Sequence, residues 1–254
     1  MTHPAYGVLR PVTATASVLL ARNPSPMTLE GTNSWVLRAP ERDGCVIVDP
    51  GPADDVHLAA LAAQGPVEAI LLTHRHPDHT DGLARLRELT GAPSYAADPS
   101  FGSPLPDVLD LAGLRLRVLR TPGHTSDSVS FVLPDAERGG DGAVLTGDTI
   151  LGRGTTVVAH PDGALRPYLD SLRGLAALGS RPVLPGHGPE LPDLAGIATA
   201  YLEHRQQRLD QVRAALATAH SPAEVVAIVY ADVDRALWPA AELSVRAQLD
   251  YLDS

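Results

Sequence analysis

The sequence predicts an α/β fold, and three observations carry that expectation. Short apolar segments recur along the chain, Ala- and Leu-rich stretches at helical spacing lie between several of them, and four of the apolar segments stop at a turn bearing histidine or aspartate. With 254 residues the chain is long enough for one large α/β domain, or for such a domain with a small appendage.

Taken in order, residues 1–22 read as a strand pair, of which Ser17-Val18-Leu19-Leu20 is the clearest piece. Asn23-Pro24-Ser25-Pro26 and Gly31-Thr32-Asn33 are turn sequences, and Ser34-Trp35-Val36-Leu37 is the next strand. Cys45-Val46-Ile47-Val48 follows, stopped by Asp49-Pro50-Gly51. Asp49 is either a ligand or the cap of that turn, and Asp before Pro-Gly favours the cap. An Ala-rich helix spans about 54–64, with His57 expected on its exposed side. Ala69-Ile70-Leu71-Leu72 is a buried strand, and Leu83, Leu86 and Leu89 recur at helical spacing beyond it.

After Pro93-Ser94-Tyr95-Ala96-Ala97 a Pro-rich linker runs to about Asp107, and Leu114-Arg115-Leu116-Arg117-Val118 alternates as a half-buried strand does. Ser128 to Leu133 is a strand ending in a polar turn at 135–141, Ala143-Val144-Leu145-Thr146 another, and 165–178 a helix. Arg181-Pro182-Val183-Leu184 closes the series. The tail from near Pro192 is long and helical: Leu202, Leu209, Val212 and Leu216 make an apolar face, leaving Arg205, Arg208 and Arg213 for another. Ser221-Pro222-Ala223-Glu224 is a capping box for a helix over Val225 to Tyr230.

Composition narrows the function. A net charge of -10 disfavours indiscriminate binding to nucleic acid or an anionic membrane. All 20 basic residues are Arg, so lysine chemistry is excluded and any anion clamp must use guanidinium groups. The single cysteine, Cys45, excludes an intrachain disulfide. With no signal-peptide pattern and no apolar run of roughly 18 residues, a cytoplasmic protein without a membrane partner is expected.

The chemistry concentrates in Thr73-His74-Arg75-His76-Pro77-Asp78-His79. Imidazole nitrogens and a carboxylate are ligands that suit zinc and similar ions. His74 and His76, two apart in extended backbone, point the same way. Pro77 is tolerated in a first helical turn and lets Asp78 and His79 turn back. Later strands end at His124, Asp148 and His187, each preceded by a glycine that permits a sharp turn. His3, His57, His160, His204 and His220 lack this setting. Seven ligands are too many for one tetrahedral zinc but suit two metals, roughly 3.5 to 4 Å apart, that share a hydroxide and clamp attacking and leaving oxygens. Hydrolysis is the chemistry implied.

His74-x-His76-x-Asp78-His79, then His124, Asp148 and His187, resembles the five-motif signature of the metallo-β-lactamase-fold superfamily. Met27-Thr28-Leu29-Glu30-Gly31-Thr32-Asn33, Thr121-Pro122-Gly123-His124-Thr125, the run from Gly147 to Thr156, and Glu203-His204-Arg205 resemble the branch of the β-lactamase-like endoribonuclease and its bacterial relatives. The resemblance implies an αββα sandwich over residues 1–191 and a small helical, winged-helix-like appendage over 192–254. It places His74, His76 and His124 on a first zinc, Asp78, His79 and His187 on a second, and Asp148 between them, with Asp78 orienting the nucleophile. Asp78 and Asp148 are thus the catalytic carboxylates. His76 sets the pattern apart from di-iron redox members, and the lack of an export signal argues against antibiotic hydrolysis.

The expected substrate is a phosphodiester, with single-stranded RNA the candidate partner. The alternative is a thioester or other acyl group, as for glyoxalase II relatives that share these ligands. A third reading is a non-catalytic metal-binding module. Candidate substrate contacts are Arg153 and Thr155 in the Gly152-to-Thr156 loop, a candidate phosphate cradle, and His204, Arg205 and Arg208 in the tail helix.

Overall fold

The computed structural model describes residues 5–135 and 142–253. His3 and most of the expected polar turn at 135–141 fall outside them. The first sheet has seven strands in sequential order: β1 (Arg10–Pro11), β2 (Ala16–Leu20), β3 (Asn33–Leu37), β4 (Cys45–Val48), β5 (Val67–Leu71), β6 (Ser94–Ala96) and β7 (Ser103–Pro104). The first four pair antiparallel, and β4 to β7 pair in parallel. The second sheet, in the order β12-β11-β10-β9-β8, contains β8 (Val108–Leu111), β9 (Leu114–Arg120), β10 (Val129–Val132), β11 (Val144–Gly147) and β12 (Val183–Pro185).

Strand periodicity sorts the layers. In β4, Val46 and Val48 face the space between the sheets, where they join Trp35, Leu71, Leu116 and Phe131 in one core. Their neighbours Cys45 and Ile47 face outward against α1 (Asp55–Ala62) and α3 (Leu83–Thr90) through Leu58, Leu61 and Leu86. The Cys45 thiol is buried, and that burial raises its pKa. On the far side of the second sheet, Val132, Val144 and Val183 pack against α4 (Leu165–Ala176) and α5 (Leu194–Ala215). The result is the αββα sandwich expected from the sequence.

The C-terminal segment is helical, as expected. The second half of α5 packs with α6 (Pro222–Val229) and α7 (Trp238–Leu252) around Val212, Val225, Val226 and Val245. Ser221 caps α6, its Oγ accepting from the Glu224 amide. The α5 face differs from the expected one: Leu209 and Val212 are buried, but Leu216 is 43% exposed and Arg205 is 2% exposed. Leu89 on α3 is likewise exposed, because only Leu83 and Leu86 meet the sheet.

His57 is also not where the sequence places it. It is 6% exposed, on the inward side of α1, with its Nε2 2.9 Å from Ser34 Oγ of β3. The Ala-rich helix gives little amphipathic signal from which that orientation could be read.

Candidate metal centre and its cleft

The histidine-rich run leaves β5 in extended backbone to His76, and Pro77 then opens the short helix α2 (Pro77–Thr80). His74 and His76 therefore reach one side of the centre, while Asp78 and His79 return from the first helical turn. His124, Asp148 and His187 follow the ends of β9, β11 and β12. These three strands belong to the second sheet and β5 to the first, so the site spans the rims of both sheets. Close approach explains two glycines. A Cβ on Gly123 would meet Tyr168 Cα at 2.3 Å, and one on Gly186 would meet Asp148 Oδ1 at 2.5 Å and His79 Cε1 at 2.8 Å.

All seven groups converge. His74 Nε2 and His124 Nε2 lie 3.0 and 2.9 Å from His76 Nδ1. On the other side, His187 Nε2 is 3.2 Å from His79 Nε2 and 3.1 Å from Asp78 Oδ2. Asp148 sits between, with Oδ2 3.7 Å from His124 Nε2 and 3.4 Å from His187 Nε2, and Oδ1 3.5 Å from His79 Nε2. The ligand-capable atoms group as His74/His76/His124, His74/His79/Asp148 and Asp78/His79/His187, each within 4.8 Å.

The outer ring nitrogens are occupied in a way that fixes which nitrogen faces inward. His124 Nδ1 donates to Val157 O at 2.6 Å, and His187 Nδ1 to Gly31 O at 3.1 Å. His79 Nδ1 donates to Asp49 Oδ2 at 2.8 Å. Thr73 Oγ1 donates to the same oxygen at 2.7 Å, which leaves its lone pair for His74 Nδ1 at 3.0 Å. In these four rings the Nε2 lone pair is thereby aimed at the centre.

Asp49 is thus neither a ligand nor a turn cap. It is 1% exposed and also accepts from the Thr73 amide at 2.8 Å, so it supports His79 directly and His74 through Thr73. Asn33, which the sequence shows only as part of a turn, has a role at the site as well. Its Nδ2 donates to Pro185 O and Gly188 O, clamping the loop that carries His187. Asp49 before Pro-Gly and the Gly31-Thr32-Asn33 turn are the visible signals, but neither names a partner.

Charge is divided across the centre. Burial pushes the His74 imidazole well below its usual pKa, and His124 down to about 4; the half-buried His76 is lowered for the same cause. Burial is the largest single influence on His79 and His187 too and opposes their protonation, but the carboxylates around them, Asp148 foremost and Asp78 beside His187, together outweigh it. Asp49 adds to the effect on His79, which is raised well above its usual pKa, and His187 rises to about 9. Burial likewise opposes ionisation of Asp148, yet the cations of His187 and His79 hold its carboxyl well below the usual range.

A cleft of about 310 Å³ opens on His124 and Asp148. The loop carrying Arg153 and Thr155 forms one wall, Met27 and Leu29 another, and it is closed by His204, Arg205 and Arg208 of α5, by Tyr230 and Val233 after α6, and by Ala241 and Ser244 of α7. All five sequence-predicted substrate contacts line it. Arg153 is not free to cradle an anion, because its Nη2 pairs with Glu30 Oε1 at 2.6 Å.

Residues 27–115 match the family described as the metallo-beta-lactamase superfamily, and residues 221–254 match the beta-lactamase associated winged helix domain. The chain is 35% identical over 212 residues to the atrochrysone carboxyl ACP thioesterase of Aspergillus fumigatus, an alignment covering 78% of this chain and 64% of that protein's length. It is 30% identical over 271 aligned positions to the beta-lactamase-like protein 2 homolog of Drosophila melanogaster, covering 95% and 89% respectively. The crystal structure of a metallo-beta-lactamase family protein from Thermus thermophilus superposes with a TM-score of 0.79 at 24% identity, covering 94% of this chain and 93% of that one.

Proposed function

The chain belongs to the metallo-β-lactamase superfamily, and from that premise we propose that it is a two-zinc hydrolase of thioesters whose acyl group is largely apolar. The observation that carries the substrate class is the wall of the cleft at Asp148 and His124, built from Leu29, Leu151, Val157, Val233 and Leu237. Similarity to a protein named as an acyl-carrier thioesterase supports the same reading. No helix among the described residues is long and apolar enough to cross a membrane.

The donor set fits two divalent cations. Facing imidazole nitrogens 2.9 to 3.2 Å apart cannot all donate to one another, and Asp148 Oδ1 is buried without a hydrogen bond. His74, His76 and His124 would hold one ion, Asp78, His79 and His187 the other, with Asp148 reaching both. Zinc bound there supplies Lewis acidity and activates water near neutral pH. Asp78, the partly exposed carboxylate of the set, accepts a hydrogen bond from the attacking water and orients it towards the acyl carbon. Thr73, Asp49, Gly31 and Val157 hold the imidazoles in place. The 1–191 unit carries this chemistry, and the 192–254 appendage shields the acyl chain from solvent.

Phosphodiester hydrolysis, the first expectation from the sequence, draws support from Arg205 and Arg208 in the cleft. Against it, Tyr230 is the single phenolic or indole ring among the lining residues, and Arg208 already covers its face at 4.7 Å, leaving little for bases to stack on. The test sets acyl-carrier, acyl-CoA and acyl-glutathione thioesters beside labelled single-stranded RNA, with zinc-loaded protein and Asp148→Ala prepared identically. Thioester cleavage lost with Asp148 is expected. Asp148-dependent RNA cleavage with every thioester left intact would overturn the reading.

A further inference from the structure

Arg205 lies in the interior of the cleft wall, 2% exposed, with no carboxylate partner among the described residues. Its Nη2 donates to Thr156 O and its guanidinium stacks on Tyr168 at 5.2 Å, but its Nε is buried without a hydrogen bond. One residue earlier, His204 Nδ1 is also buried and unpartnered. One helical turn on, Arg208 donates through Nη1 to Val229 O and Gln211 Oε1, finds no acid among the described residues, and lines the same cleft. Asp148 is the single acid among the lining residues, and its two oxygens are directed at His79 Nε2 and His187 Nε2, at 3.5 and 3.4 Å.

Burying a guanidinium without a counter-charge is costly, and an unsatisfied N–H adds to that cost. An anionic oxygen delivered by the ligand relieves both, and planar guanidinium donors suit a carboxylate-like group. The apolar walls exclude a heavily hydrated polyanion and leave room for one charge on an otherwise apolar body.

We propose that α5 forms an anion-receiving subsite, with Arg205 and Arg208 as specificity residues for an acyl group that carries a carboxylate remote from the scissile carbonyl. This rests on the acyl-hydrolase reading above and deepens it. His204, its pKa lowered to about 4 by burial and the two neighbouring arginines, stays neutral and adds a hydrogen-bonding group without a second titration.

The experiment measures binding to zinc-loaded protein by calorimetry. Its ligands are a ladder of unbranched α,ω-dicarboxylates of increasing length, each beside the monocarboxylate of equal carbon number. Both kinds offer one carboxylate to the metal end, so the difference reads the far end. At the length that spans the cleft, the diacid is expected to bind roughly tenfold tighter or better, the worth of a charge-assisted hydrogen bond. Arg208→Gln and Arg205→Gln should each remove most of that preference, shown as a diacid-to-monocarboxylate affinity ratio near one within each variant. Arg208→Gln is the cleaner variant, because Arg205 also holds the loop beside His124.

A ladder with no diacid preference at any length, or a preference that survives both substitutions, overturns the proposal. Thioester hydrolysis without diacid preference leaves the hydrolase standing and sinks the subsite. Diacid preference without thioester hydrolysis does the reverse.

Discussion

Replacing Asp49 by Asn tests whether a residue outside the ligand set fixes the metal centre. The Asp49 carboxylate is 1% exposed and accepts three hydrogen bonds, from Thr73 N, Thr73 Oγ1 and His79 Nδ1, at 2.7 to 2.8 Å. Asn keeps one oxygen for the Thr73 amide but turns an NH2 towards Thr73 Oγ1 and the His79 N–H. The charged bond to His79 is lost, and bonds of that type contribute about 1.5–3 kcal/mol. At about 1.4 kcal/mol per factor of ten, metal affinity should fall roughly tenfold to hundredfold, the range typical of residues that support metal ligands. Asn also tolerates the left-handed backbone at φ 54 that position 49 adopts, so backbone strain does not enter. Competition with a chromophoric zinc chelator reads the affinity, and circular dichroism checks the fold. A folded Asp49→Asn protein binding zinc within about twofold of the native value would refute the orienting role.

Burial lowers the His57 pKa to about 4, with Asp54 pulling weakly the other way. Between that value and the unfolded value of about 6.5 the unfolded chain alone takes up the proton, so stability falls as pH drops through this window, by about 3 kcal/mol in all, and is unaffected above it. Denaturant midpoints for His57→Gln at pH 7 and pH 5 should show a shallower decline than the native protein, and parallel declines would contradict the assignment. The neighbouring carboxylates raise the proton affinity of both His79 and His187, the latter to about 9, so zinc must compete with protons at this pair and bind more tightly as pH rises towards about 9. Calorimetry in buffers of different ionisation enthalpy should show proton release on binding, and buffer-independent heats would exclude it.

What is legible in the sequence is what is local. The strand Cys45–Val48 and the run from His74 to His79 are decided by neighbours a few residues away, and the structure shows the strand and turn read from them. Asp49 and His57 escape a sequence reading because their partners, His79 and Ser34, are 30 and 23 residues distant and come close only across the sheet. Arg205 offers the same difficulty in reverse. A charged helix face is usually solvated, and only the packing of α4 beneath α5 puts this guanidinium on the Tyr168 ring. The cleft itself is a product of distant chain segments brought together, since its lining runs from Pro26 to Ser244.

Metal content per chain is the measurement that bears most directly on the binuclear centre. Elemental analysis of zinc-loaded protein should give about two ions per chain, and His187→Ala, folded and loaded identically, about one. A single ion in the native protein, or two retained by His187→Ala, would contradict the division of the seven residues into two sites joined at Asp148.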